Sequence, residues 1–98
     1  LEIEFKSNKL KRECTEYPLS CRAYGELMAE KIAQRIGEMT HAPDVAFLLQ
    51  YHIGNCHQLK GDRKSEYAVD LVQPYRMIFI EKDSEIHLVR ITSIENYH

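Results

Sequence analysis

The 98-residue sequence predicts an α+β domain, with two to three helices packed on one face of an antiparallel sheet of about five strands. Three observations carry that expectation. The chain opens on strict polar/apolar alternation, its first half holds one long helical stripe, and its second half is a run of four extended segments.

Leu1-Glu2-Ile3-Glu4-Phe5 alternates residue by residue, as a strand with one buried face does. Ser7 or Asn8 then suits an N-cap, and Leu10, Cys14 and Tyr17 recur at i, i+4 and i+7. That is a short amphipathic helix, stopped by Pro18. Ser20 is placed to cap a longer helix whose stripe is Tyr24, Leu27 or Met28, Ile32, Ile36 and Met39. Gly25 and Gly37 weaken it, at about 1 kcal/mol each against alanine. Pro43 suits an early position in a short third helix through Phe47 and Leu49, and Gly54-Asn55 closes that region in a turn.

From Cys56 the pattern becomes extended. His57 to Lys60, Tyr67 to Val72, Tyr75 to Glu81 and Ile86 to Ile94 are rich in β-branched and aromatic residues. Turn signals separate them at Gly61-Asp62, Gln73-Pro74 and Lys82-Asp83-Ser84. Met77-Ile78-Phe79-Ile80 is apolar on both faces, which places it near the centre of the sheet. Repeats, low-complexity tracts and linkers are absent, so residues 1–98 read as one domain.

Composition narrows the function. The formal charge of −2 gives no global field toward nucleic acid, so any such contact needs a local patch. Three cysteines, Cys14, Cys21 and Cys56, without a CxxC pair fit free thiols in a reducing compartment. A zinc site from these three and His57 lacks the paired spacing such sites show. No apolar run reaches the roughly 18 residues of a membrane span and no signal peptide is visible, so the expected location is cytoplasmic. Leu1 in place of Met points to a processed or trimmed start.

One short block gathers chemistry. Cys56-His57-Gln58-Leu59-Lys60-Gly61-Asp62-Arg63-Lys64 sets an imidazole ahead of a cationic glycine turn. Arg76 lies in the expected central strand, a costly place for a guanidinium without an anion to meet. The chain ends Glu95-Asn96-Tyr97-His98. Two imidazoles, a phenol, a lysine and a half-buried arginine suffice to cleave RNA with neither metal nor cofactor. That reaction needs a base for the ribose 2′-OH, an acid for the leaving 5′-oxygen, and cations around the phosphate.

Each residue also has an ordinary structural reading. His57 alone is more often a solvated strand residue than a catalyst, and Arg76 has Asp70 and Glu81 as available partners. Lys60, Arg63 and Lys64 suit a wet hairpin turn, and Tyr97 and His98 a frayed end. His41, His52 and His87 fall in loops or at an exposed strand position.

The block His57-Gln58-Leu59-Lys60-Gly61-Asp62-Arg63-Lys64, the strand Tyr75-Arg76-Met77-Ile78-Phe79 and the ending Tyr97-His98, in that order, resemble the HigB-type toxins of the RelE superfamily, often labelled plasmid maintenance system killer proteins. The likeness extends over nearly the whole chain, including the Glu2-Ile3-Glu4-Phe5 opening. It implies a RelE-like two-layer fold and a bacterial toxin that enters the ribosomal A site and cuts messenger RNA there. It implies a cognate HigA-type antitoxin with a helix-turn-helix domain, operator DNA being met only through that complex.

Residue by residue, the resemblance makes His57 the active-site histidine and Lys60 a phosphate contact, with Arg63 and Lys64 beside it in the same turn. Arg76 becomes the strand arginine that stabilises the phosphate, and Tyr97 and His98 the terminal pair in proton transfer. The family's ending usually reads Glu-Asp-Tyr-His, whereas Asn96 stands here in the aspartate's place. An amide accepts a hydrogen bond but takes no proton, so Asn96 can orient its neighbours and cannot serve as a base. Two rivals stay open at this point: a ParE-like gyrase poison of the same fold, and an impaired toxin that only binds its antitoxin.

Overall fold

A computed structural model describes residues 1–97, so the expectations placed on His98 lie outside the described residues. The opening alternation forms β1 (Glu2–Phe5). Ser7 then caps α1 (Asn8–Thr15), its hydroxyl oxygen accepting a hydrogen bond from the Leu10 amide at 3.1 Å.

The next stretch departs from the expected single helix. Pro18 stands in the first turn of α2 (Tyr17–Tyr24), where a missing amide proton costs nothing, and α3 (Glu26–His41) follows as a separate helix. The break falls at Gly25, whose φ of +88° and ψ of 165° lie where side chains with a Cβ are strained. Glycine here ends a helix rather than merely weakening one. Ser20 is no cap: it is buried, and its hydroxyl donates to the Glu13 carbonyl, tying α2 to α1. Helix α4 (Val45–Gln50) is capped by Asp44, which accepts from the Phe47 amide at 2.8 Å. Pro43 lies just ahead of that cap instead of inside the helix. None of the described helices is long and apolar enough to cross a membrane.

The second half forms β2 (His57–Gln58), β3 (Glu66–Asp70), β4 (Tyr75–Asp83) and β5 (Leu88–Asn96), each antiparallel to the next. The sheet order is β1-β5-β4-β3-β2, which puts β4 in the middle, where its two-sided apolar run belongs. Strand β1 joins the edge parallel to β5, Ile3 beside Val89 and Phe5 beside Ile91, so the five-stranded sheet is mixed. Local patterning marks a strand but carries no information on which distant neighbour it joins or in which direction.

The sheet has one covered and one open face. Val69, Met77, Phe79, Val89 and Ile91 meet Met28, Ile32, Met39 and Leu48 from the helices in one core. Phe79, Ile32, Met39 and Leu48 are fully buried, each worth about 1.5–3 kcal/mol of removal from water. Tyr67 and Phe79 stack across β3 and β4 with ring centroids 5.4 Å apart. All three cysteines are free thiols. Burial pushes the Cys14 and Cys56 thiols up to about 12, which keeps them protonated and unreactive.

On the open face, Ala68, Ile78 and Leu59 form a small cluster of their own. A β-bulge shapes this side. Ile78 faces Ser93 and Phe79 faces Ile91, which leaves Thr92 as the extra residue on β5. Before the bulge Val89 and Ile91 point into the core; after it Ile94 does. Ser93 and Glu95, in phase with the core residues by simple alternation, are thereby turned onto the open face.

Candidate functional site

Two of the expected site residues, His57 and Arg76, share that open face. His57 lies opposite Ala68, and Ala68 opposite Ile78, so all three share a side of the sheet. Arg76 is two positions from Ile78 and therefore on the same side, opposite Glu95 on β5. Two strand spacings across and two residues along separate the His57 and Arg76 backbones by roughly 12 Å, a span that leaves room for a ligand between their side chains.

His57 is anchored by what precedes it. Cys56 is buried in the core, so the chain turns the exposed imidazole outward at the sheet edge. Its Nδ1 lies 2.9 Å from the Asn55 carbonyl oxygen. A carbonyl only accepts, so Nδ1 carries a proton, and the tautomer this bond selects has Nε2 as its acceptor. Asn55 is fixed in turn: its side-chain amide donates to Asp70 at 3.2 Å, and Gly54 beside it packs against Arg35 so closely that a Cβ would stand 2.6 Å from Arg35 Nε.

Arg76 is not sealed by Asp70 or Glu81. Asp70 stands across from it, yet its carboxylate takes the Asn55 amide. The ion pair of Arg76 is a long one, 3.6 Å to Glu95, with the guanidinium 4.9 Å from the centre of the Tyr97 ring. Its side chain is 17% exposed, and Nε is the one buried side-chain polar atom without a hydrogen-bond partner among the described residues. A buried donor in that condition costs about 1–3 kcal/mol, which an incoming acceptor would recover.

The three cations of the glycine turn divide into two kinds. Lys60 and Lys64 are exposed. Arg63 instead grips two carboxylates with both prongs, Glu66 at 2.9 Å and Glu95 at 2.7 and 3.0 Å. These bonds hold the Glu66 and Glu95 carboxyls below the usual range and raise Arg63. Ser93 Oγ adds a 3.2 Å donation to Glu95.

Tyr97 follows β5, its amide donating to the Pro74 carbonyl at 3.3 Å and its hydroxyl to Gln73 at 2.7 Å. Asn96 ends β5 opposite Tyr75, one residue out of phase with Glu95. Sequence reasoning gave no role to Glu66, Ser93 or Glu95. Glu66 had a local signal, three residues after Arg63, but Glu95 had none, because only the bulge turns it toward Arg63 and Arg76.

No protein-family model and no curated protein matches the sequence. Among solved structures, the chain is similar to a YoeB/ParE toxin from Agrobacterium tumefaciens at 14% identity and a TM-score of 0.68, over 100% of both chains. It is also similar to a chain of the YoeB-YefM complex from Staphylococcus aureus at 19% identity and a TM-score of 0.64, over 100% of this chain and 97% of the other. Agreement over full length at such low identity is a statement about architecture: this chain has the fold of the YoeB/ParE toxins.

Proposed function

We propose that the chain is the toxin of a type II toxin–antitoxin system and cuts messenger RNA on the ribosome by metal-independent acid/base chemistry. The observation that carries this reading is the open sheet face, where His57 offers Nε2 and Arg76 an unpartnered Nε beside Tyr97, within a toxin fold. In the proposed reaction His57 takes the proton of a ribose 2′-OH, whose oxygen forms a bond to the adjacent phosphorus. The bond from phosphorus to the 5′-oxygen breaks, leaving a 2′,3′-cyclic phosphate. The leaving oxygen gains a proton from the terminal pair Tyr97 and His98, while Arg76 and Lys60 offset the charge gathering on phosphorus. Asn96 orients that pair without itself exchanging a proton.

The net charge of −2, with carboxylates set among the arginines of the open face, argues for a message held by the ribosomal A site rather than by the toxin alone. The block from His57 to Lys64 favours the HigB-type subgroup, hence a HigA-type antitoxin and contact with operator DNA only through that complex. The S. aureus neighbour, a YoeB-YefM complex, supports the general form of that pairing.

The test is induction in bacteria with mapping of messenger RNA ends and of DNA breaks, then cleavage assays with purified chain. Cuts within translated codons, and none in naked RNA, are the expected result. The neighbour described as YoeB/ParE supplies the competing outcome. DNA breaks without RNA cuts would replace the ribonuclease by a gyrase poison.

A further inference from the structure

We propose that Arg63 and Arg76 form one anion site for a substrate phosphate, and that Glu95 holds the phosphate's place until RNA arrives. The inference rests on the reading of the open face as a phosphate-handling surface, and it assigns to Glu95 a role as internal stand-in.

Three features of the quartet Arg63, Glu66, Arg76 and Glu95 support it. The first is geometry. Both Glu95 oxygens are taken by Arg63, so the carboxylate reaches Arg76 only at 3.6 Å and leaves Arg76 Nε unsatisfied. A carboxylate is flat, whereas a tetrahedral phosphate presents oxygens out of one plane and can meet two guanidinium forks together. The second is charge. Two arginines and two glutamates sum to zero, and a phosphodiester carries the same single negative charge as the carboxylate it replaces, so the exchange leaves the quartet neutral. The third is access. Glu95 is partly exposed, with its side chain at 30%, and Arg63 at 37%, so the carboxylate has a route into water. Glu66 is not displaced, because it keeps its separate hold on Arg63 from β3. The arrangement also guards the site: ligands that cannot outbid a bidentate carboxylate, such as isolated surface carboxylates or chloride, are refused.

The experiment titrates inorganic phosphate into the intact chain and reads the arginine Nε–H resonances and the carboxyl carbon of Glu95 by NMR. In the unaltered chain, phosphate should shift the Arg63 and Arg76 signals together with the Glu95 carboxyl. Glu95→Gln should bind phosphate about tenfold more tightly, since a neutral amide competes poorly for two guanidinium groups. Ser93→Ala, which loosens the same carboxylate without removing charge, should give a smaller gain and covers the case in which Glu95→Gln fails to fold. Glu85→Gln removes one charge from the distant, exposed β4–β5 turn and should change nothing.

Equal affinity in Glu95→Gln and the parent overturns the proposal, as does an equal gain in Glu85→Gln, which would reduce it to net charge. Phosphate binding that leaves the Glu95 carboxyl unmoved overturns it too. If Glu95→Gln gains affinity while ribosomes show no message cleavage, the anion site stands and the ribonuclease reading falls.

Discussion

The two faces of β4 are built from alternate residues of one strand and follow opposite rules. Met77 and Phe79 point into the helices, fully buried among apolar partners with nothing polar to satisfy. Arg76, on the other side, is half-buried with a guanidinium poorly matched to its surroundings and one nitrogen left over. The closed face is optimised for folding, and the open face retains an unmet demand for an anion. Residues packed into the core and residues that leave a polar group unmet are thus separable by parity along a single strand.

The sharpest break of that comparison is Phe79→Ala. Removing a fully buried ring that stacks on Tyr67 should cost about 3–5 kcal/mol, read as a lower urea midpoint at unchanged slope. A loss under about 1 kcal/mol would mean the closed face is not the stabilising one.

On the open face the signature should be reversed. Arg76→Ala is expected to reduce ribosome-dependent cleavage by about 10²–10³-fold, and His57→Ala by about 10²–10⁴-fold, with unfolding midpoints nearly unchanged. If either variant unfolds as readily as Phe79→Ala, the division between faces fails.

A finer test concerns the turn. Arg63 lowers the carboxyls of Glu66 and Glu95, so it contributes stability above their ordinary value of 4.5, and that contribution fades as pH falls through the lowered folded values. The stability gap between the parent and Arg63→Met should therefore be full near neutral pH and close below about 4.5. Since these groups are partly exposed, the gap is expected to be modest. Chemical unfolding at neutral and acid pH measures it, and a gap that widens in acid would contradict the pairing.

The smallest effect is expected at Asn96→Asp. Asn96 is out of phase with Glu95, so an added carboxylate there should leave cleavage at least as fast as in the parent, with a change of only a few-fold. Slower cleavage would show that the amide has a part of its own.

Much of the molecule was legible before its structure. Strict alternation marked β1, Ser7 or Asn8 the cap of α1, and the two-sided apolar run Met77-Ile78-Phe79-Ile80 the central strand, because each signal is local and depends on a period or a single side-chain oxygen. Gly25 shows the boundary of such reasoning. Its sequence context suits a tolerated helix glycine equally well, and the positive φ that makes it a break depends on how α2 and α3 pack.

By itself, then, the sequence separated a helical first half from an extended second half, and it brought forward His57, Lys60, Arg63, Arg76 and Tyr97 as chemistry-bearing residues. Tertiary structure alone decided that β1 lies parallel beside β5, that Asp70 turns to Asn55 rather than to Arg76, and that Glu95 closes on Arg63. For Glu95 the physical reason is a single extra residue. Thr92 shifts the β5 register by one, and because side chains in a strand alternate with a period of two, that shift carries Glu95 from the core side to the charged face.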